Sequence, residues 1–193
     1  FGGEYNLKSK ENGNDVVVIL GAGAIALTLG QIAKAYGAGR VIIIGTRVNP
    51  LEIAISAGSA DEYINISETD PVKGVMDATS GLGADIVFET VGGDSQLLDQ
   101  CMQMAGIGKT ISILGVFSSK QYLRSQEVGM KKELNITWSN SYSTWNGLSE
   151  YKQALDMLSQ GKLNPEPLIT HRFHQSDIKK GFEIANNKKE SNA

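Results

Sequence analysis

Val16-Val-Val-Ile-Leu-Gly-Ala-Gly-Ala-Ile-Ala26 decides the fold. Five apolar residues run unbroken into a glycine, and helical spacing begins just behind it. A continuous apolar run of this length is a strand buried on both faces, the kind found in parallel sheets. Gly21, Gly23 and Ala26 then stand at the G-x-G-x-x-A spacing. The first glycine permits a tight turn, the second lets backbone approach a pyrophosphate, and the third small residue packs helix against strand. The N–H groups of the helix start, with Ala22, Ala24 and Ile25 around them, face the phosphates. A bound dinucleotide is the expectation. A tight turn that binds nothing and an S-adenosylmethionine site are the alternatives.

Outward from this loop, β-branched runs alternate with helix-period segments. Ile25, Leu29, Ile32 and Tyr36 recur at helical spacing, with Gly37 as the stop. Val41–Ile44, Glu62–Asn65, Asp85–Glu89, Thr110–Leu114 and Leu134–Ser139 read as five further strands. Helices are predicted from Pro50 to Ala57, from Asp70-Pro71 to Ser80-Gly81, and from an Asp94 cap to Met104. Strand–helix alternation with short links predicts an α/β fold: a doubly wound (Rossmann) six-stranded parallel sheet with helices on both faces. After Tyr142 the rhythm changes. Leu148, Tyr151, Leu155 and Leu158 mark one helix, a Pro-containing stretch follows, and a last helix lies near Ser176–Asn187. The expected division is residues 1–145 as a nucleotide-binding domain and 146–193 as a piece of a second domain.

An NAD site places an Asp or Glu about 20 residues past the loop, where it accepts hydrogen bonds from the adenosine ribose. Here that position, after the second strand, holds Gly45, followed by Thr46 and Arg47. An acid would repel a 2′-phosphate. A small residue, a hydroxyl and a guanidinium suit one. NADP is therefore the expected cofactor, with NAD as the alternative.

Composition narrows the rest. A net charge of −3 offers no basic surface for nucleic acid. No apolar run approaches the length of a membrane helix. Cys101 is the only cysteine, which excludes an internal disulfide framework and a cysteine-based zinc site; a reducing cytoplasm is the expected setting. The start at Phe1 and the polar run Asn186–Ala193 predict a trimmed piece of a longer protein. His171 and His174 sit in an extended stretch, where residues three apart point to opposite faces, so no metal role is read there. Cys101 reads as a small buried hydrophobe. Glu89, at a strand end, reads as a hydrogen-bonding group beside the cofactor or a loop cap. Ser118-Ser119-Lys120 is no nucleophile elbow, and Lys179-Lys180 and Lys188-Lys189 read as solvated helix faces.

"GAGAIALTLGQIAKAYGAGRVIIIGT", "GLGADIVFETVG", "ISILGVF" and "EPLITHRF" resemble the medium-chain dehydrogenase/reductase family, in its zinc-dependent alcohol, polyol and threonine dehydrogenase branch. The resemblance covers nearly the whole chain. It implies a two-domain oxidoreductase transferring hydride between NAD(P) and an alcohol/carbonyl pair. Zinc is then expected only in an N-terminal domain absent from this sequence, and 146–193 becomes an incomplete segment of that catalytic domain. The chain alone is expected to be inactive. By the same likeness Thr90 and Val91 line the ribose side, Leu114, Gly115 and Val116 lie near the nicotinamide ribose and carboxamide, and Ser139 and Asn140 offer a backbone contact to the carboxamide. Trp138 and Asn140 depart from the residues usual there. A homodimer or homotetramer is implied. A regulatory nucleotide-sensing domain without catalysis is the rival reading.

Overall fold

One row of hydrogen-bonded partners runs straight across six parallel strands in a computed structural model, which describes residues 14–122, 126–140 and 142–187. The strands are β1 (Val16–Leu20), β2 (Arg40–Gly45), β3 (Glu62–Asn65), β4 (Ala84–Glu89), β5 (Ala105–Ile113) and β6 (Asn135–Trp138). Their spatial order is β3-β2-β1-β4-β5-β6, so the order reverses between β1 and β4. Leu20 pairs with Ile44 on one side and Glu89 on the other, Glu89 with Ile113, and Ile113 with Trp138. This is the expected doubly wound sheet.

Alternation along the apolar strands builds two cores. Val18, Leu20, Ile42 and Ile44 face one side, against Val75 of α3 (Pro71–Ala78) and Leu98, Cys101 and Met102 of α4 (Leu98–Met104). Val17, Ile19, Val41 and Ile43 face the other, against Ala26, Leu29 and Ala33 of α1 (Ala24–Ala35) and Leu51 and Ala54 of α2 (Val48–Ser56). Each fully buried aliphatic side chain contributes about 1.5–3 kcal/mol. Asp70 caps α3 as expected, its carboxylate accepting from the Lys73 N–H at 2.8 Å, with Pro71 in the first turn.

Several boundaries differ from the sequence expectation. The apolar stripe of α1 is only in part its buried face: Leu29 is buried, while Ile25 and Tyr36 are 63% and 56% exposed. The buried face mixes Leu27, Leu29 and Gln31 with Ala26, Gly30 and Ala33, and at Gly30 the helix passes too close for a side chain. A Cβ on Gly30 would land on the Ser59 carbonyl oxygen. Asp94 does not cap α4, which begins only at Leu98. Residues after β4 pair first with the loop after β5: Gly93 N–H donates to Val116 O at 2.8 Å and Ser118 N–H to Gly93 O at 3.0 Å. The Asp94 carboxylate accepts from the Ser118 hydroxyl. The fifth strand starts earlier than expected, at Ala105, with its register to β4 broken between Ala84 and Ile86. After α5 (Gln126–Lys131), Lys132 reaches back to α4, its Nζ donating to the carbonyls of Met102, Gln103 and Ala105. Burial lowers the pKa of that ammonium.

The remainder starts with a hairpin, β7 (Thr144–Trp145) and β8 (Leu148–Ser149), turning at Asn146 and Gly147. Leu148 thus belongs to a strand rather than to the helix α6 (Glu150–Ser159). Short 3₁₀ turns at Glu166–Leu168 and Gln175–Asp177 lead to α7 (Ile178–Asn186). Leu163 is buried, and Leu168 packs against the α1–α2 core. Neither α6 nor α7 buries a residue; Tyr151, Leu155, Ile178 and Phe182 are all exposed. No helix of the described residues is long and apolar enough to cross a membrane.

Candidate dinucleotide site

The paired row Ile44, Leu20, Glu89, Ile113, Trp138 lies at the carboxyl ends of five adjacent strands. One step beyond it stand Gly45, Gly21, Thr90, Leu114 and Ser139. Backbone bonds carry the ladder through that step. Gly21 N–H donates to Ile44 O, Thr90 N–H to Leu20 O, Leu114 N–H to Glu89 O and Ser139 N–H to Ile113 O, all within 2.8–3.1 Å. Segments far apart in sequence are thereby brought to one edge, flanking the β1/β4 reversal where open α/β sheets bind ligands.

The two loop glycines do different work. Gly21 has φ +114°, and a Cβ there would sit 2.5 Å from the Thr90 Oγ1. The turn itself demands it. Gly23 precedes α1 in extended backbone, and a Cβ there would meet nothing within 4 Å. The protein's own packing leaves that flank bare. No side chain caps α1, and its first turn holds no acid. Its N–H groups and positive dipole end thus face outward, a cradle that fits a pyrophosphate. Ala26 is fully buried beneath it.

Gly45 ends β2 and Arg47 occupies the N-cap position of α2, with Thr46 exposed between them. Arg47 is half-buried at the same edge as the glycine loop. A Cβ on Gly45 would come to 3.0 Å from Ala22 Cβ and 3.1 Å from Leu51 Cδ2. Smallness at this position therefore also serves packing.

Across the reversal, Thr90 uses its hydroxyl on the protein, donating to Leu20 O at 2.6 Å. Val91 and Val116 are exposed beside the cradle, 52% and 82%. Glu89 is fully buried, and its Oε1 accepts from the N–H groups of Val91 and Gly92 at 2.8 and 3.0 Å. It is a loop cap, one of the two roles expected for it. Two glycines make this possible: Gly115, which the family likeness placed at the site, and Gly92, which sequence reasoning missed. A Cβ on Gly92 (φ +60°) would meet the Val116 backbone, and one on Gly115 would land on Glu89 Oε2. The signal was present, since a glycine follows each of these strands within three residues. Ser139 and Asn140 continue past β6 at the far end of the row.

Outside the row, Cys101 is buried, and burial, with the nearby Glu89 as a lesser cause, pushes its thiol pKa up. His171 and His174 each hydrogen-bond a neighbouring hydroxyl, of Thr170 and Ser176. Among the described residues no group of three His, Cys, Asp or Glu side chains could hold a metal ion. Lys179-Lys180 lies on exposed helix surface; Lys188-Lys189 falls outside the described residues.

The sequence profile of zinc-binding dehydrogenases matches residues 24–160. The chain belongs to that family. It is 32% identical over 171 residues to the L-threonine 3-dehydrogenase of Bacillus licheniformis, an alignment covering 87% of this chain and 47% of the relative. The alcohol dehydrogenase from Thermus sp. ATN1 superposes with a TM-score of 0.80 at 27% identity, over 91% of this chain and 49% of that one. An alcohol dehydrogenase from Escherichia coli CFT073, solved with its cofactor NADH, superposes at 0.77 with 28% identity over 91% and 49%. The chain thus spans about half the length of the relatives it matches. The medium-chain, zinc-dependent reading of the sequence is borne out, and so is the doubly wound parallel sheet.

Proposed function

We propose that this chain is the coenzyme-binding half of a dehydrogenase that passes hydride between a nicotinamide dinucleotide and an alcohol/carbonyl pair. The single observation that carries this reading is the bare Gly23 flank at an uncapped helix start, placed at the sheet reversal. Backbone N–H groups of α1 would hold the pyrophosphate. The adenosine half would lie toward Gly45, Thr46 and Arg47. The nicotinamide half would cross toward Thr90, Val91, Leu114–Val116, Ser139 and Asn140. The dinucleotide supplies the hydride chemistry; these residues bind and orient it.

The metal ligands implied by the family do not lie among the described residues, so no step of this chain is routed through zinc. The exposed apolar faces of α6 and α7, and the exposed Ile25 of α1, support packing against the other half of a longer protein. Residues 146–193 would belong with that half. Without it the chain binds cofactor but turns over no alcohol. An assembled dimer or tetramer in the cytoplasm, acting on a small alcohol or polyol, completes the reading.

NADP is the proposed cofactor, carried by the missing acid and by Arg47 at the ribose position. NAD is the second reading, favoured by the packing of Gly45 against Ala22 and Leu51, which gives the glycine a reason of its own. Calorimetry with NADP⁺ and NAD⁺ on the wild type and Arg47→Ala separates them. Tighter NADP⁺ binding that is lost in Arg47→Ala supports NADP. Equal binding of the two overturns it, and binding of neither overturns the dinucleotide reading.

A further inference from the structure

Glu89 has a buried carboxylate with only one oxygen in use. Oε1 takes the Val91 and Gly92 N–H groups, while Oε2 is buried with no hydrogen-bond partner. Burying a carboxylate is costly unless its bonds repay the loss of water. A strand residue needing only packing would be apolar here, like Ile113 and Leu20 in the same row. The carboxylate therefore does something an apolar side chain could not.

Its neighbours indicate what that is. The Glu89 carbonyl oxygen accepts from Leu114 and Gly115 N–H at 2.8 and 3.1 Å. Its side chain holds the other loop. One residue thus fixes Val91–Gly92 and Leu114–Gly115 at once, and glycines at 92 and 115 let the two loops touch back to back. Gly93 N–H to Val116 O and Ser118 N–H to Gly93 O close the seam. Val91 and Val116, both exposed, belong to these two loops, and Val91 lies beside Gly21 of the cradle.

A dinucleotide with its pyrophosphate at α1 and its adenosine toward β2 must put its other half over β4 and β5. We propose that Glu89 is a positioning residue: its buried carboxylate holds the loop after β4 against the loop after β5, which its main-chain carbonyl holds, and so shapes the shelf for the nicotinamide half. It touches no cofactor itself. The proposal rests on the dinucleotide reading above. It adds that the two halves of the ligand are gripped by independent parts of the chain.

The test separates the halves. Binding of NADPH and of 2′-phospho-ADP-ribose, and of NADH and ADP-ribose, is measured by calorimetry on wild type, Glu89→Ala and Glu89→Gln. Glu89→Ala is expected to weaken each intact dinucleotide about tenfold, as for loss of charge-assisted bonds, and to leave the nicotinamide-free ligands within about twofold. Glu89→Gln keeps an acceptor for both N–H groups and is expected to stay within about threefold of wild type for all four. Equal weakening of whole and truncated ligands, or no weakening, overturns the proposal. If the wild type binds neither kind, the dinucleotide reading falls and this one with it. Hydrogen exchange needs no truncation, so it decides the matter even if Glu89→Ala does not fold. Val91 and Gly92 amides of wild type and Glu89→Gln are expected to gain protection with NADPH or NADH and not with the truncated ligands. Equal gains with both overturn the assignment.

Discussion

Gln31 and Asn164 hold each other. The Gln31 side-chain oxygen accepts from the Asn164 N–H at 2.8 Å, and its amide nitrogen donates to the Asn164 carbonyl at 3.0 Å and to the Ala57 carbonyl at 3.1 Å. A nearly buried glutamine on α1 thereby pairs with the backbone of a segment 133 residues away. It is a polar tie between the sheet with its helices and the chain after α6, beside the apolar contacts of Leu163 and Leu168.

Gln31→Ala removes all three bonds, which are part-buried. Its expected cost is about 1–3 kcal/mol. Urea unfolding reads that loss. Limited proteolysis should show faster cleavage after Ser159 than in wild type. Gln31→Glu turns a carboxylate oxygen toward the Ala57 and Asn164 carbonyls, so at neutral pH it should cost at least as much as Gln31→Ala.

Two loop glycines only two residues apart should respond in opposite ways. Gly21→Ala forces a side chain into φ +114° and against Thr90, for about 1–3 kcal/mol of stability. Gly23→Ala meets nothing of the protein and should stay within about 0.5 kcal/mol in unfolding. It should nevertheless weaken dinucleotide binding, because its methyl enters the cradle. A Gly23→Ala chain that keeps full affinity would make the loop a structural turn only.

Cys101 makes a prediction about alkaline stability. Its thiol pKa is raised on folding, chiefly by burial and secondarily by Glu89. The folded state therefore keeps a proton that the unfolded state gives up above its ordinary value near 9. Stability is fully present below that pH and declines above it, by at most about 1.4 kcal/mol per pH unit. Urea unfolding with a non-thiol reductant should show this slope between pH 9 and 11 in wild type and a shallower one in Cys101→Ala. Cys101→Ala should also be less stable at pH 7, since it leaves a cavity in the core. A disulfide reagent should label the native chain only as it opens.

Where residue type and backbone requirement coincide, the sequence was readable. Val16–Leu20 is a strand because nothing polar interrupts it, and Gly21 turns because φ +114° suits glycine. Asp70-Pro71 starts α3 by a capping chemistry that needs no tertiary context. The misreadings came where distant contacts decide. The stripe Ile25–Tyr36 has ideal helical spacing, yet α1 leaves Ile25 and Tyr36 exposed and buries Ala26, Leu27, Leu29 and Gly30, the last against the Ser59 backbone. Asp94 has the right type for a cap, but the Ser118 hydroxyl claims it. One miss was avoidable. Asn146-Gly147 between Thr144-Trp145 and Leu148-Ser149 is a strong hairpin signal, and both residues have positive φ, 49° and 76°. At the site, the row of strand ends was legible from β-runs followed by small residues. The clasp at Glu89 was not, because it depends on which two loops the sheet order places side by side.

That row of strand ends also sets how the chain answers mass action. Its contributors run from Gly21 to Asn140, and they meet only when five strands share one register. A partly folded chain therefore offers no complete cradle. Ligand at a hundred times its dissociation constant would add about 2.7 kcal/mol to the folded state alone. The cellular supply of a small molecule would then set how long this sheet survives between openings.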